Sequence, residues 1–89
     1  MKEYFYFDLK KYENGTVIDT VENGVWKYGM EYLRIYDKAV TCCFKEANGP
    51  RGYVYIVEPI ATIYDSESPD YHLTTALKIK NIHTNITWL

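Results

Sequence analysis

The dipeptide Asn-Gly occurs three times in this 89-residue chain, at Asn14-Gly15, Asn23-Gly24 and Asn48-Gly49. Both residues tolerate positive φ, which makes the pair the strongest short-range signal for a tight hairpin turn. The runs between these turns are rich in Tyr, Phe, Val, Ile and Thr, side chains that suit a pleated, half-buried surface. Together they predict strands near 3–12, 16–22, 25–36, 39–46 and 53–64. A bend is expected at Gly29, a tight turn at Asp37-Lys38, and a further bend at Pro59, whose ring removes a ladder donor.

The polar stretch 65–70 reads as a loop, and the segment behind it fits two patterns. Ser68-Pro69-Asp70 resembles a helix start, with Leu73, Ala76, Leu77 and Lys80 at helical spacing. Leu73, Thr75, Leu77 and Ile79 also alternate with their neighbours as an amphipathic strand does. The strand is the favoured expectation, with one short helix near residues 69–80 as the alternative. Alternation restarts at Ile82, Thr84, Ile86 and Trp88, which implies a register break at Asn81. The expected fold class is mainly β, a small antiparallel β-meander forming a sandwich or partly open barrel, in one domain over 1–89.

A chain of this length buries only roughly 60–65% of its unfolded surface, so its core is small and a homo-oligomer is expected to supply further burial. Cys42 and Cys43 are neighbours, and neighbours on a strand point to opposite faces, so they do not bridge. The opening Met1-Lys2-Glu3-Tyr4 has no apolar run before its charges, so neither a signal peptide nor a membrane span is expected and the location is read as cytoplasmic. A formal net charge of −2 argues against binding double-stranded DNA through its phosphates.

Alternation assigns faces strand by strand. Phe5, Phe7 and Leu9 oppose Tyr4, Tyr6, Asp8 and Lys10; Leu33 and Ile35 oppose Tyr32, Arg34 and Tyr36; Val40, Cys42 and Phe44 oppose Thr41, Cys43 and Lys45; Val54 and Ile56 oppose Arg51, Tyr53 and Tyr55. The aliphatic and Phe sides form the expected core, and Tyr stands repeatedly on the polar side beside a cation. A face of Tyr4, Tyr6, Tyr32, Arg34, Tyr36, Arg51, Tyr53 and Tyr55 has the composition of a recognition surface, because Tyr and Arg combine large contact area with hydrogen-bonding tips and stacking planes. Tyr is also a good strand former, so closure into a barrel or burial between copies is the competing explanation of these rings.

Chemistry-bearing patterns are sparse. His72 and His83 have no Cys, Asp or Glu at ligand-like spacing, so no metal is expected, and they are read as surface residues. Cys42 reads as a small core hydrophobe and Cys43 as an ordinary surface thiol. With no catalytic triad, phosphate-cradling loop or dinucleotide fingerprint, neither a catalytic residue nor a cofactor is assigned.

The composition favours Phe, Tyr, Met, Ile, Asn and Lys over Gly, Ala, Arg and Pro, the bias of an AT-rich genome. In type, the chain resembles the small proteins with which phages of AT-rich bacteria bind and block host machinery. The functional expectation is therefore a non-enzymatic inhibitor or interaction protein whose partner is a host protein. The alternative is an oligomeric sequestering protein in which the rings stack a nucleotide-like small molecule and Arg34 and Arg51 hold its phosphates. A small enzyme of unknown chemistry ranks third.

Overall fold

Asn23 and Gly24 adopt positive φ, 52° and 75°. They close the two-residue turn between β3 (Val21–Glu22) and β4 (Val25–Trp26), in which Val21 faces Trp26 and Glu22 faces Val25. This is the turn that the dipeptide predicts. The computed structural model describes residues 2–27, 29, 31–46 and 52–86. At the first Asn-Gly pair, Gly15 has φ 90° and the Thr16 N–H donates to the Glu13 carbonyl at 3.1 Å. The third pair lies outside the described residues.

The remaining strands are β1 (Tyr4–Asp8), β2 (Val17–Asp19), β5 (Leu33–Tyr36), β6 (Gly52–Pro59), β7 (Ile63–Asp65), β8 (Tyr71–Thr74) and β9 (Ala76–Ile86). They form one sheet in the order β2-β9-β6-β1-β5-β8-β7, antiparallel at every pairing. The mainly β, antiparallel class is as expected, and the sheet is open. Within it only β7 and β8 are both consecutive and adjacent. Residues 69–80 hold no helix; they form a turn, β8 and the start of β9.

The helix lies elsewhere. Residues 39–46, expected as a strand, form α1 (Ala39–Glu46). Topology overrides propensity here. β5 and β6 both run antiparallel to β1 and flank it, so they are parallel to each other. The chain leaving β5 must return along the sheet before β6 can start, which needs a crossover rather than a hairpin, and a helix is its usual form. Ala39, Cys42 and Cys43 recur at i, i+3 and i+4 and pack on the sheet, while Val40, expected in the core, is 73% exposed.

Only Thr75 separates β8 from β9, yet three strands stand between them in the sheet. One Cα step spans about 3.8 Å against about 4.8 Å per strand, so the sheet must curl until its two flanks meet at this corner. Thr75 is fastened there: its carbonyl accepts from the Thr20 N–H and from the Thr20 hydroxyl, each at 2.9 Å. Pro59 ends β6 at the same corner, and the Ile60 N–H donates to the Ala76 carbonyl at 3.1 Å. The expected break near Asn81 is present. β9 slips against β6 twice, because Val57 faces Ile79 while Ile56 faces Asn81, and Tyr55 faces Ile82 while Val54 faces Thr84. The residues skipped are Lys80 and His83.

The curl gives the sheet two packed faces. Ile35, Tyr55, Val57, Leu77 and Ile79 form the inner cluster, with Tyr4, Tyr6, Tyr12, Ile18, Leu33 and Tyr53 against it. Phe5, Tyr36, Cys42 and Val54 form the outer cluster, which α1 covers, with Phe7, Ile56 and Tyr71 beside it. Leu9, expected in the core, lies beyond the end of β1 and is 60% exposed. Phe44 lies on α1, and its side chain is outside the described residues.

Candidate functional site

The expected Tyr/Arg face is divided by one register. Phe5 pairs directly with Tyr36, so these two share a face, and Tyr4 and Tyr6 share the other with Ile35. Tyr4, Tyr6, Tyr53 and Tyr55 therefore line the inside of the curl. Tyr36 lies beneath α1 with no exposure, in contact with the outer cluster. Tyr32 and Arg34 remain exposed at the surface. Arg51 lies outside the described residues. The sequence identified two-faced strands correctly, but alternation alone does not tell which face of β1 aligns with which face of β5.

The inner tyrosines are held by a polar network. Tyr6 and Tyr12 both donate their phenol O–H to the same Asp8 oxygen, at 2.8 and 2.9 Å, and the Lys10 N–H donates to the other Asp8 oxygen at 3.0 Å. The Tyr55 hydroxyl donates to the Lys10 carbonyl at 2.9 Å and accepts from the Tyr12 N–H at 2.7 Å. These bonds satisfy hydroxyls that would otherwise be costly inside the curl. Burial pushes the Tyr6 phenol well above its ordinary value, with the Asp8 carboxylate adding to the effect. Tyr12 and Asp8 were not singled out from the sequence; their partnership depends on the folding back of residues 10–12.

A second aromatic group stands on the outer face beyond the helix. Register places Arg34 opposite Leu73 on β8 and Leu73 opposite Tyr64 on β7, so all three share the outer face. Trp26 meets Tyr32 edge to face at 5.1 Å between ring centroids, and Tyr32 meets Tyr64 in the same way at 5.8 Å. Arg34 lies over the Tyr71 ring at 4.8 Å and pairs with Glu46 at 3.3 Å. Tyr32 is 40% and Tyr64 47% exposed, so the ladder of rings is open to a partner. A cavity of about 440 Å³ lies against it, bordered by Tyr32, Arg34, Ser66, Tyr71 and Leu73. Of the expected site residues, this surface retains Tyr32 and Arg34 and adds Trp26, Tyr64 and Tyr71.

Between the two faces lies a gap. β1 and β5 are joined at the single register pair Phe5–Tyr36, although the strands continue to Asp8 and back to Leu33. Where they diverge, a cavity of about 460 Å³ opens between Tyr6 and Phe7 on one side and Leu33 and Arg34 on the other. Tyr12, Tyr32, Glu31 and Glu46 complete its rim with Ile18 and Thr20.

Other reactive groups are engaged or shielded. The Cys42 thiol is fully buried and burial pushes its pKa far above the ordinary range. Cys43, read from the sequence as a surface thiol, is half-buried against the outer cluster because it lies on a helix. His72 is half-buried rather than exposed, between Asp37 at 3.4 Å and Asp65 at 3.6 Å. His83 is exposed and packs edge-on against Phe5 at 5.3 Å between centroids. Among the described residues no cluster of three His, Cys, Asp or Glu is disposed to hold a metal ion, and no helix is long and apolar enough to cross a membrane.

Compared with known proteins, the chain matches no family model and no curated sequence.

Proposed function

We propose that this chain is a non-enzymatic binding protein that docks another protein on the outer aromatic surface, Trp26, Tyr32 and Tyr64 with Arg34 and Tyr71, and acts by occluding it. The observation that carries the reading is the edge-to-face ladder from half-buried Trp26 to exposed Tyr32 and Tyr64. Its members are the residue types that anchor protein interfaces, and their rings are already held by one another, so little side-chain entropy is lost on docking. The phage-type host inhibitor suggested by composition is one form of such a protein.

A nucleotide-like ligand finds less support. Arg34, the cation expected to hold its phosphates, is already paired with Glu46, and Glu31 stands at the same rim. Two carboxylates beside one committed guanidinium oppose a phosphate. Self-association is the second reading, favoured by β7, a three-residue edge strand exposed at every position. Edge strands with unpaired backbone groups are templates for another chain.

The test is capture of partners from a low-GC bacterial lysate, comparing the wild-type protein with a Trp26→Ser, Tyr64→Ser variant of matching circular dichroism. The proposal expects a stoichiometric partner that the variant loses. Equal capture by both proteins would place recognition elsewhere. Light scattering on the free protein separates a second copy from a foreign partner.

A further inference from the structure

We propose that the gap between β1 and β5 receives a cationic side chain, the guanidinium or ammonium of an Arg or Lys that the docked partner presents. The inference rests on the protein-binding reading above, and names what the partner must carry.

Four features converge on a cation. First, the cavity exists because the ladder between β1 and β5 stops after Phe5–Tyr36, so it is bounded by strand walls. At about 460 Å³ it has room for a long side chain. Second, three of its lining residues are tyrosines from three separate segments: Tyr6 on β1, Tyr12 from the loop after it, and Tyr32 ahead of β5. The face of an aromatic ring attracts a cation, and several rings around one space are the usual receptor for an organic cation. Third, Asp8 accepts the phenol protons of both Tyr6 and Tyr12. Hydrogen bonding to a carboxylate fixes those rings and places negative charge at their hydroxyls. Fourth, the rim carries Glu31 and Glu46. Glu46 already holds one guanidinium, that of Arg34 at 3.3 Å, while Glu31 makes no ion pair among the described residues.

The position also fits. Tyr32 belongs both to this cavity and to the ladder with Trp26 and Tyr64, so a partner lying on the ladder has the opening of the gap beside it. A phosphate or carboxylate is disfavoured by the same rim, and an uncharged alkyl chain would leave Glu31 desolvated without a counter-charge.

The test titrates ¹⁵N-labelled protein with acetyl-arginine amide and acetyl-lysine amide, with acetyl-norleucine amide as the uncharged control of similar length. The proposal expects weak, saturable shifts of backbone resonances at Tyr6, Tyr12 and Leu33 with the two cations, weakened by added sodium chloride, and none with norleucine amide. Glu31→Gln and Tyr32→Ala should each weaken the cation roughly fivefold. Equal response to norleucine amide, shifts confined to other regions, or no saturable response would overturn the inference, and these outcomes need no variant to fold. Tyr64→Ser, which lies outside the cavity, separates the two proposals. It should abolish partner capture and keep a saturable, salt-sensitive cation response, since it removes only a ring contact of Tyr32 and no residue of the cavity. Capture that depends on Tyr64 with no cation response in the wild type would retain the docking surface and remove the cation site.

Discussion

The hydroxyl of Tyr55, on β6, accepts a hydrogen bond of 2.7 Å from the backbone N–H of Tyr12, forty-three positions earlier in the chain. The same hydroxyl donates to the Lys10 carbonyl at 2.9 Å, so one fully buried phenol holds the loop that follows β1. Tyr55→Phe keeps the ring and removes the hydroxyl that bonds both the Tyr12 N–H and the Lys10 carbonyl. Loss of about 1–3 kcal/mol is expected in urea denaturation, with faster hydrogen exchange at the Tyr12 amide. A change within about 0.3 kcal/mol and unchanged exchange would show that water replaces the hydroxyl freely.

Much of the fold was legible in the sequence. The Asn23-Gly24 hairpin, the interruption at Pro59 and the register break near Asn81 each follow from local chemistry, through positive φ, a missing donor and a shift in alternation, although Pro59 ends β6 where only a bend in a strand over 53–64 was expected. What was not legible depended on distant partners. Val40-Thr41-Cys42-Cys43-Phe44 has strand propensity, but the position of β1 between β5 and β6 demands a crossover there. The site was half legible for the same reason. Alternation separated Tyr from Phe on β1 and Leu33 and Ile35 from Arg34 on β5. Only the Phe5–Tyr36 pairing shows that the Phe face of one strand continues as the Tyr36 face of the next.

Gly52 opens β6 in a buried position where a Cβ would overlap the Phe7 ring. Gly52→Ala must displace that ring from the outer cluster. A cost of roughly 1–3 kcal/mol is expected from thermal or urea unfolding, as for other overpacked sites. A neutral or stabilising result would mean that Phe7 moves without loss of packing.

Alkaline pH should unfold the protein in a defined window. Burial, aided by Asp8 at Tyr6 and Glu46 at Tyr36, raises both phenols above the ordinary value of 10.0. The folded state keeps these protons while the unfolded state releases them above about pH 10, so the contribution of the two phenols is flat below that point and falls above it, with the buried Cys42 thiol adding a loss that starts about a unit lower. The slope should approach about 1.4 kcal/mol per pH unit for each such group. Denaturation at about pH 9 and pH 11, followed also by tyrosinate absorbance, tests this. Equal stability at the two pH values would show that neither phenol is protected.

The Cys42 thiol lies in the outer cluster, and burial keeps it protonated. Alkylation of Cys42 by iodoacetamide should therefore require unfolding, with a rate that rises with denaturant along the unfolding curve. Rapid modification of Cys42 in the native protein would contradict the packing of α1 on the sheet.

The central claim is that the outer surface around Tyr32, rather than the tyrosines inside the curl, meets the partner. Hydrogen–deuterium exchange with and without the captured partner measures this directly. Protection should concentrate at residues 25–27, 31–34 and 63–65, with β9 unchanged. Protection confined to β2, β9 or the exposed side of α1 would contradict the account and move recognition to another face of the molecule.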